Sequence, residues 1–276
     1  MRAFVYILIL MSQAIVAQSV YAADEPKVAL IIDDMGYRKS DEKAFELPRH
    51  VTLSILPHTA KSTQFSQKAQ QQGRVVMLHL PMETLQPRTL GPGALLASMD
   101  SGFMLQTFES ALESVPHAIG VNNHMGSKLT QLSLPMKTLM GALEKRGLFF
   151  IDSRTTRYSK AFNIANEYGV PALQRKVFLD HNINEHEINQ QFDRLLRLAH
   201  KYGEAVGIGH PHPETLRVLK SRLAEQSDVD FVSVTDLLTQ YSPRLAASEQ
   251  QNGPVADEFS ESKDSTNQQV ELSPSN

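Results

Sequence analysis

The chain has 276 residues, with 27 Lys and Arg against 30 Asp and Glu, and its formal net charge is −3. This balance provides no broad basic surface, so we expect no nucleic-acid partner. The chain contains no cysteine, which excludes disulfides and thiolate metal sites and leaves His, Asp and Glu as the metal ligands available.

The N-terminal segment has the pattern of a secretory signal peptide. Arg2 is followed by an apolar stretch, and the small residues around Ala22 resemble a cleavage site. Ser12 and Gln13 interrupt the apolar stretch, so it is too short for a membrane anchor. We therefore expect residues 1–22 to be removed and the mature chain to be exported, to the periplasm in a Gram-negative source, without spanning the membrane.

The composition changes near residue 246. Residues 246–276 are rich in Ser, Gln, Asn and acids and lack apolar periodicity, so we expect a disordered tail. Residues 23–245 are long enough for one domain with a substantial core. The composition of the tail suggests that it binds an envelope protein, such as a division or wall-synthesis partner.

Short apolar runs alternate with longer amphipathic segments along the domain. The runs lack strict apolar/polar alternation, which is typical of strands that are buried on both faces of a parallel sheet. They are VALII, VTLSIL, VVMLHL, AIGVNN, LFFID, VFLD, AVGIGH and VDFVSV. Predicted helices lie between them at residues 61–72, 135–146, 185–202 and 213–225, and Gly73, Gly147 and Gly203 follow three of these as stop signals. The pattern favours a β/α barrel of about seven parallel strands, with a doubly wound sheet as the alternative.

Polar side chains follow almost every predicted strand. In a β/α barrel the carboxyl ends of the strands form the active-site face. Turns alone enrich Asp and Asn at these positions, but His has no strong preference for turns. The residues are Asp33, Asp34, His58, His79, Asn122, Asn123, His124, Asp152, Asp180, His181, His210 and His212. We therefore expect a functional site on this face.

The simplest site is a divalent metal centre. Asp34, His79 and His124 are the expected ligands, zinc is the expected ion, and the remaining position is open to water. Asp33 would then stand beside the cation as a base, and the expected chemistry is hydrolysis of an amide or an ester.

His210 is the expected proton donor to the leaving group, because it ends a late strand on the same face. Either Asp152 or Asp180 would hold its imidazole in the required tautomer. Arg154 would orient Asp33 or stabilise an oxyanion.

Other polar residues form a second group of candidates for the pocket. Glu83 either lines the rim or is an ordinary loop residue, and His181 either caps the following helix or joins the pocket. His212 precedes Pro213, which is typical of a helix start. The group consists of Glu83, Asn123, Asp180, His181 and His212.

Six motifs follow one another along the chain in the order LIIDDMGY, LHLPME, NNHMGS, FFIDSRTT, LDHN and GIGHPHPET. As a set they resemble those of the divergent polysaccharide deacetylases, relatives of the NodB-homology carbohydrate esterases. The resemblance implies a distorted NodB-like barrel. It also implies metal-dependent removal of N- or O-acetyl groups from envelope sugars, with Asp33 as the base, Asp34 as a ligand and His210 as the acid. The parent superfamily takes both metal His from one H-x-x-x-H segment, which is absent at NNHMGSKL. The second ligand must therefore come from another strand.

The sequence leaves two classes of function open. The first is a deacetylase that acts on peptidoglycan or another N-acetylated polysaccharide. The second is a non-catalytic envelope protein that keeps the pocket to bind sugar or a partner. Glycoside hydrolysis by paired carboxylates is a weaker interpretation, because it leaves the repeated His unexplained.

Overall fold

The computed structural model describes residues 25–239. The predicted signal peptide (residues 1–22) and the predicted C-terminal tail (residues 246–276) lie outside these residues. The strands are β1 (Lys27–Met35), β2 (Thr52–Ile55), β3 (Val76–Met82), β4 (Gly120–Met125), β5 (Phe149–Asp152), β6 (Ala172–Gln174), β7 (Val177–Phe178), β8 (Glu204–Gly209) and β9 (Asp230–Val232). The α-helices are α1 (Ser62–Gln71), α2 (Ser101–Ser114), α3 (Ser133–Arg146), α4 (Ala161–Glu167), α5 (Glu185–Tyr202), α6 (Pro213–Glu225) and α7 (Val234–Thr239).

The described strands pair in parallel in the order β6-β5-β4-β3-β2-β1-β8-β7, and β9 pairs with the beginning of β1. The two ends of this path, β6 and β7, are separated in the chain by Arg175 and Lys176 alone. Three Cα–Cα steps of about 3.8 Å keep these ends within roughly 11 Å of each other. The sheet therefore curves round on itself, and the prediction of a distorted β/α barrel in a single domain is confirmed.

The strands and helices follow the sequence pattern closely. Each of the eight predicted runs contains a strand, and the four predicted helices are present, with α5 and α6 at the predicted bounds. Gly147 and Gly203 end α3 and α5 with positive φ, as expected for helix stop signals. The sequence prediction missed β6, α2, α4 and α7. Within residues 25–239 no helix has both the length and the apolar character needed to cross a bilayer.

The barrel has two apolar cores on opposite faces of the sheet. Val28, Leu30 and Ile32 of β1 belong to the larger core, which also contains buried residues of the surrounding helices. Ala29 and Ile31 belong to the smaller core. Successive strand residues point to opposite faces, so the smaller core fills the barrel interior. Its other members are Met77, Phe149, Ile151, Leu173, Val206, Ile208, Val234, Leu237 and Leu238, the last three from α7.

The interior changes from apolar to polar along the strands. In β1 the inward row runs from Ala29 through Ile31 to Asp33, and in β3 it runs from Met77 to His79. Helix α7 packs into the interior behind β9, which pairs with the amino-terminal end of β1. The apolar residues therefore close one end of the barrel, and polar groups collect at the carboxyl ends of the strands.

Gly120 provides a test of the interior packing. A Cβ added at Gly120 would lie 2.2 Å from the Phe149 ring, whereas one at Gly141, within α3, would lie 3.4 Å from its nearest neighbour, Tyr168. We expect Gly120→Ala to lower the free energy of unfolding by about 1–3 kcal/mol. Gly141→Ala should leave it unchanged or raise it by up to about 1 kcal/mol. Chemical denaturation of both variants measures the difference, and equal stabilities would contradict the packing described here.

Candidate metal centre

Three side chains meet at the carboxyl ends of β1, β3 and β4. Asp34 Oδ1 lies 2.9 Å from His124 Nδ1 and 3.1 Å from His79 Nε2. The two ring nitrogens are 3.1 Å apart. The structure thus brings together the three predicted metal ligands, with one potential ligand atom from each.

A break in the regular strand places both Asp33 and Asp34 at this site. Adjacent residues in a regular strand point to opposite faces, so one of the two would normally face away. Asp34 has a φ of 56°, and the pairing of β1 with β2 shifts register between Ile32 and Met35. This irregularity turns Asp34 to the face that Asp33 already occupies, and Asp is among the residues that best tolerate positive φ.

Asn122 connects the base candidate to the metal ligands. Its Oδ1 accepts hydrogen bonds from Ser54 Oγ at 2.6 Å and His79 Nδ1 at 2.7 Å, and its Nδ2 donates to Asp33 Oδ1 at 2.8 Å. His79 therefore carries its proton on Nδ1 and, when neutral, presents a lone pair on Nε2 to the other ligands. The sequence analysis placed Asn122 among the polar strand-end residues but gave it no role, although it lies two residues before His124 and hence on the same strand face.

The three ligand atoms fit a divalent metal ion. Asp34 Oδ1 is buried without a hydrogen-bond partner among the described residues, although two ring nitrogens lie beside it. A cation between the three atoms would explain this close approach of electron-rich groups. Tetrahedral zinc with bonds of about 2.0–2.1 Å places its ligand atoms about 3.3 Å apart, and three protein ligands are usual in catalytic sites.

The electrostatics favour the ionised carboxylate that a metal requires. Burial raises the pKa of Asp34, but the adjacent imidazoles of His124 and His79 outweigh it and hold the pKa far below its ordinary value. Burial lowers the pKa of His79, but Asp33, Asp34 and Asn122 outweigh it and raise the pKa above its ordinary value. In the metal-free protein His79 therefore retains a proton more strongly than a free histidine.

His210 approaches the site from β8, with Asp180 behind it. His210 Nδ1 lies 2.9 Å from Asp180 Oδ1, and His210 Nε2 lies 3.7 Å from Asp34 Oδ2. Burial lowers the pKa of His210, but Asp180 and more distant carboxylates outweigh it and raise the pKa to about 9 in the metal-free protein. Asp180 therefore holds the imidazole with Nε2 protonated and directed towards Asp34.

Asp180, His210 and His212 are also close enough to form a second potential metal group. However, both oxygens of Asp180 are already used as acceptors. Asp180 Oδ2 accepts from the His210 backbone N–H at 2.7 Å and from Thr215 Oγ1 at 2.7 Å, and Oδ1 faces His210 Nδ1. This carboxylate orients His210, so we assign the metal to the first group only.

The structure does not bring Asp152 to His210, which corrects the first of the two expected orienting carboxylates. Asp152 accepts hydrogen bonds from the Arg154 backbone N–H and Ser159 Oγ, both at 2.8 Å. It lies on the face of β5 opposite to the inward residues Phe149 and Ile151. Asp152 therefore organises the loop after β5.

Arg175 is a second arginine in this region, and the sequence analysis did not select it. Its Nε donates to the Ser153 carbonyl at 2.6 Å and its Nη2 to the Arg154 carbonyl at 2.9 Å. Burial lowers the pKa of Arg175, and the negative charges of Asp33 and Asp152 oppose that effect. Arg175 lies between β6 and β7, a strand pair that the sequence prediction did not resolve. The role expected for Arg154 stays a prediction.

Two of the second group of candidates stabilise loops. Glu83 accepts from Lys128 Nζ and the Ala97 backbone N–H, both at 2.6 Å, and so fixes the loop after β3. Asn123 is buried, donates to the Met125 carbonyl at 2.7 Å and accepts from the Ser153 backbone N–H at 2.9 Å. Neither side chain has a described hydrogen bond to the metal group.

The two remaining histidines differ in position. His181 is exposed, and its ring contacts Phe178 at a centroid distance of 6.4 Å. His212 precedes the first residue of α6, and its ring lies 5.9 Å from that of His210. His212 therefore lies on the rim and also at a helix start, so the two interpretations of this residue are compatible.

Two cavities lie at this end of the barrel. One, of about 400 Å³, is lined by the loops after β3, β4 and β5, including Arg88, Met125 and Thr155. Another, of about 210 Å³, includes Asp34, Tyr37 and His210. The second cavity therefore reaches one of the three ligand residues.

Loss of a ligand side chain should reduce metal binding. We expect Asp34→Ala and His79→Ala each to weaken the affinity for a divalent ion by at least about 100-fold. His181→Ala is the matched control and should bind like the unaltered protein, because His181 is exposed and outside the group. Competition with a chromophoric chelator measures the affinities, and wild-type affinity in either ligand variant would contradict the assignment.

Metal binding should release protons. A metal requires neutral His79, whose pKa in the metal-free protein lies above its ordinary 6.5, so protons compete with the metal near neutral pH. The affinity should therefore rise as the pH rises through that pKa and fall as the pH drops below it. Calorimetry in buffers of different ionisation enthalpy counts the protons, and binding at pH 7 without any release would contradict the raised pKa.

The chain was compared with known proteins. Residues 30–238 match the family described as divergent polysaccharide deacetylase. The uncharacterized protein YibQ of Escherichia coli (strain K12) is 38% identical over 216 residues, which cover 78% of this chain and 68% of that protein. The crystal structure of uncharacterized protein ATU2773 from Agrobacterium tumefaciens has the same fold, with a TM-score of 0.74 and 24% identity over 78% of this chain and 90% of that one. The resemblance seen in the motifs is thus confirmed, and the chain belongs to the divergent polysaccharide deacetylase family.

Proposed function

We propose that the protein is an exported, metal-dependent carbohydrate deacetylase that hydrolyses acetyl amides or esters on an envelope polysaccharide such as peptidoglycan. Family membership supports the reaction class, and the residues of the metal centre support the mechanism. The signal-like N-terminal sequence supports export, and hence a periplasmic location in a Gram-negative cell.

The observation that carries the proposal is the arrangement of a base and an acid around the metal group. Asp33 Oδ2 lies 3.6 Å from His79 Nε2, and His210 Nε2 lies 3.7 Å from Asp34 Oδ2. Asp33 therefore lies beside one residue of the metal group, His79, and His210 lies beside another, Asp34. Hydrolysis requires one group to take a proton from water and another to give a proton to the leaving atom.

Asp33 is suited to the role of base. Its side chain is 3% exposed, and its Oδ1 is held by the Asn122 amide, which leaves Oδ2 on the side of the metal group. Oδ2 would accept a proton from the attacking water as the water oxygen adds to the acetyl carbonyl carbon.

His210 is suited to the role of acid. Asp180 fixes the proton-bearing Nε2 towards the metal group. Burial lowers the pKa of His210, but the hydrogen bond and charge of Asp180 oppose that effect and favour the protonated imidazole. Nε2 would donate its proton to the nitrogen or oxygen of the sugar as the bond to the acetyl carbon breaks. The products would be acetate and a free amine or hydroxyl.

A divalent cation held by Asp34, His79 and His124 would lower the pKa of its bound water to about 7 and polarise the acetyl carbonyl. Two imidazoles and one carboxylate suit zinc well, so zinc is the ion that we propose. The two cavities at this end of the barrel would hold the sugars next to the one that is deacetylated.

Acetate release tests the proposal. Zinc-loaded protein should release acetate from an N-acetylated envelope glycan, and Asp33→Asn should reduce the rate by at least about 100-fold without loss of metal. Asn keeps the size of the side chain and removes the base. His181→Ala should retain both activity and metal.

Two results would contradict the deacetylase proposal. One is the absence of acetate release by fully metal-loaded protein from a panel that includes peptidoglycan and N-acetylated oligosaccharides. The other is an unchanged rate in Asp33→Asn. Glycan binding without acetate release would instead support the non-catalytic binding protein.

A further inference from the structure

A third cavity lies at the opposite end of the barrel from the metal group. Its volume is about 770 Å³, and it is formed by the segments that enter β2, β3, β4 and β5 together with the start of α7. The lining residues that matter most here are Arg49, His50, Arg74, Ile119, Arg146 and Asp236. Neither the proposed reaction nor the metal uses any of them.

Arg74 gives this cavity a buried positive charge. Arg74 is 7% exposed, and its guanidinium donates to the carbonyls of Phe45, Leu47 and Pro48 and to the amide oxygen of Gln72. All four acceptors are neutral, whereas a buried charge is best stabilised by an opposite charge. Burial lowers the pKa of Arg74, and neighbouring Arg49 lowers it further.

The cavity also offers a free polar atom and an apolar surface. His50 Nε2 is buried without a hydrogen-bond partner among residues 25–239. Ile119 is 47% exposed and provides apolar surface beside these polar groups. A ligand that combines negative charge with apolar groups would match these features.

The C-terminal segment of this chain has that character and starts beside the cavity. Thr235 and Asp236 of α7 line the cavity, and α7 ends at Thr239, just before residues 240–276. These residues contain six acidic and two basic side chains. Residues 255–261, VADEFSE, place Asp257, Glu258 and Glu261 among the apolar Val255 and Phe259. The chain between residues 239 and 255 has sixteen Cα–Cα steps and can extend to roughly 50 Å. This length is enough for residue 255 to return to the cavity.

We propose that residues 255–261 dock into this cavity of the same chain, with their carboxylates near Arg49 and Phe259 against Ile119. This inference goes beyond the deacetylase function and does not depend on it. It assigns the acidic segment to the end of the barrel that lies away from the metal group.

Disulfide trapping in the full chain tests the docking, because the natural chain has no cysteine. One variant carries Ile119→Cys and Ser260→Cys. The matched control carries Tyr158→Cys and Ser260→Cys, since Tyr158 is 58% exposed in the loop after β5, at the metal end. We expect the intramolecular disulfide to form about tenfold faster in the first variant, because docking raises the local concentration of the two thiols.

Charge removal provides the second part of the test. In the Ile119→Cys/Ser260→Cys background, D257N/E258Q should slow the disulfide towards the rate of the control pair, as should high salt. E249Q/E271Q removes the same number of charges outside the segment and should have little effect. Equal rates for the two cysteine pairs, equal effects of the two charge changes, or predominantly intermolecular disulfides would overturn the proposal.

Discussion

The candidate site depends on the backbone irregularity at Asp34. A regular strand would place Asp33 and Asp34 on opposite faces, so a base and a metal ligand could not come from adjacent residues. The positive φ at Asp34 and the register shift beside it bring both carboxylates to the interior end of the barrel. The imidazoles of β3 and β4 then surround Asp34 Oδ1, while Asp33 is held by an amide from β4.

The position of the site follows from the alternation of side chains along each strand. Inward residues are apolar near the amino-terminal end, where α7 fills the barrel, and polar near the carboxyl end. The same face of each strand thus contributes first to the core and then to the site. This arrangement stabilises the barrel with apolar contacts while collecting the candidate metal ligands, Asp33 and His210 in a polar layer above them.

Much of the fold and the metal group could be predicted from the sequence, because buried parallel strands are marked by apolar runs and their ends by repeated His and Asp. The short β6, only three residues long, left too weak a pattern to detect. The choice between Asp152 and Asp180 required the strand order: β7 pairs with β8, which positions Asp180 beside His210, whereas β5 pairs with β4 and β6. Chain order alone does not contain that information.

The hydrogen bonds of Asn122 join the two parts of the candidate site. A single amide fixes the proton position of His79 and the orientation of Asp33, and it does so from within the barrel without being one of the candidate metal ligands. An aliphatic residue of similar size at this position would uncouple His79 from Asp33 while leaving the strands paired. The integrity of the barrel and the chemistry of its site would therefore separate at this one position.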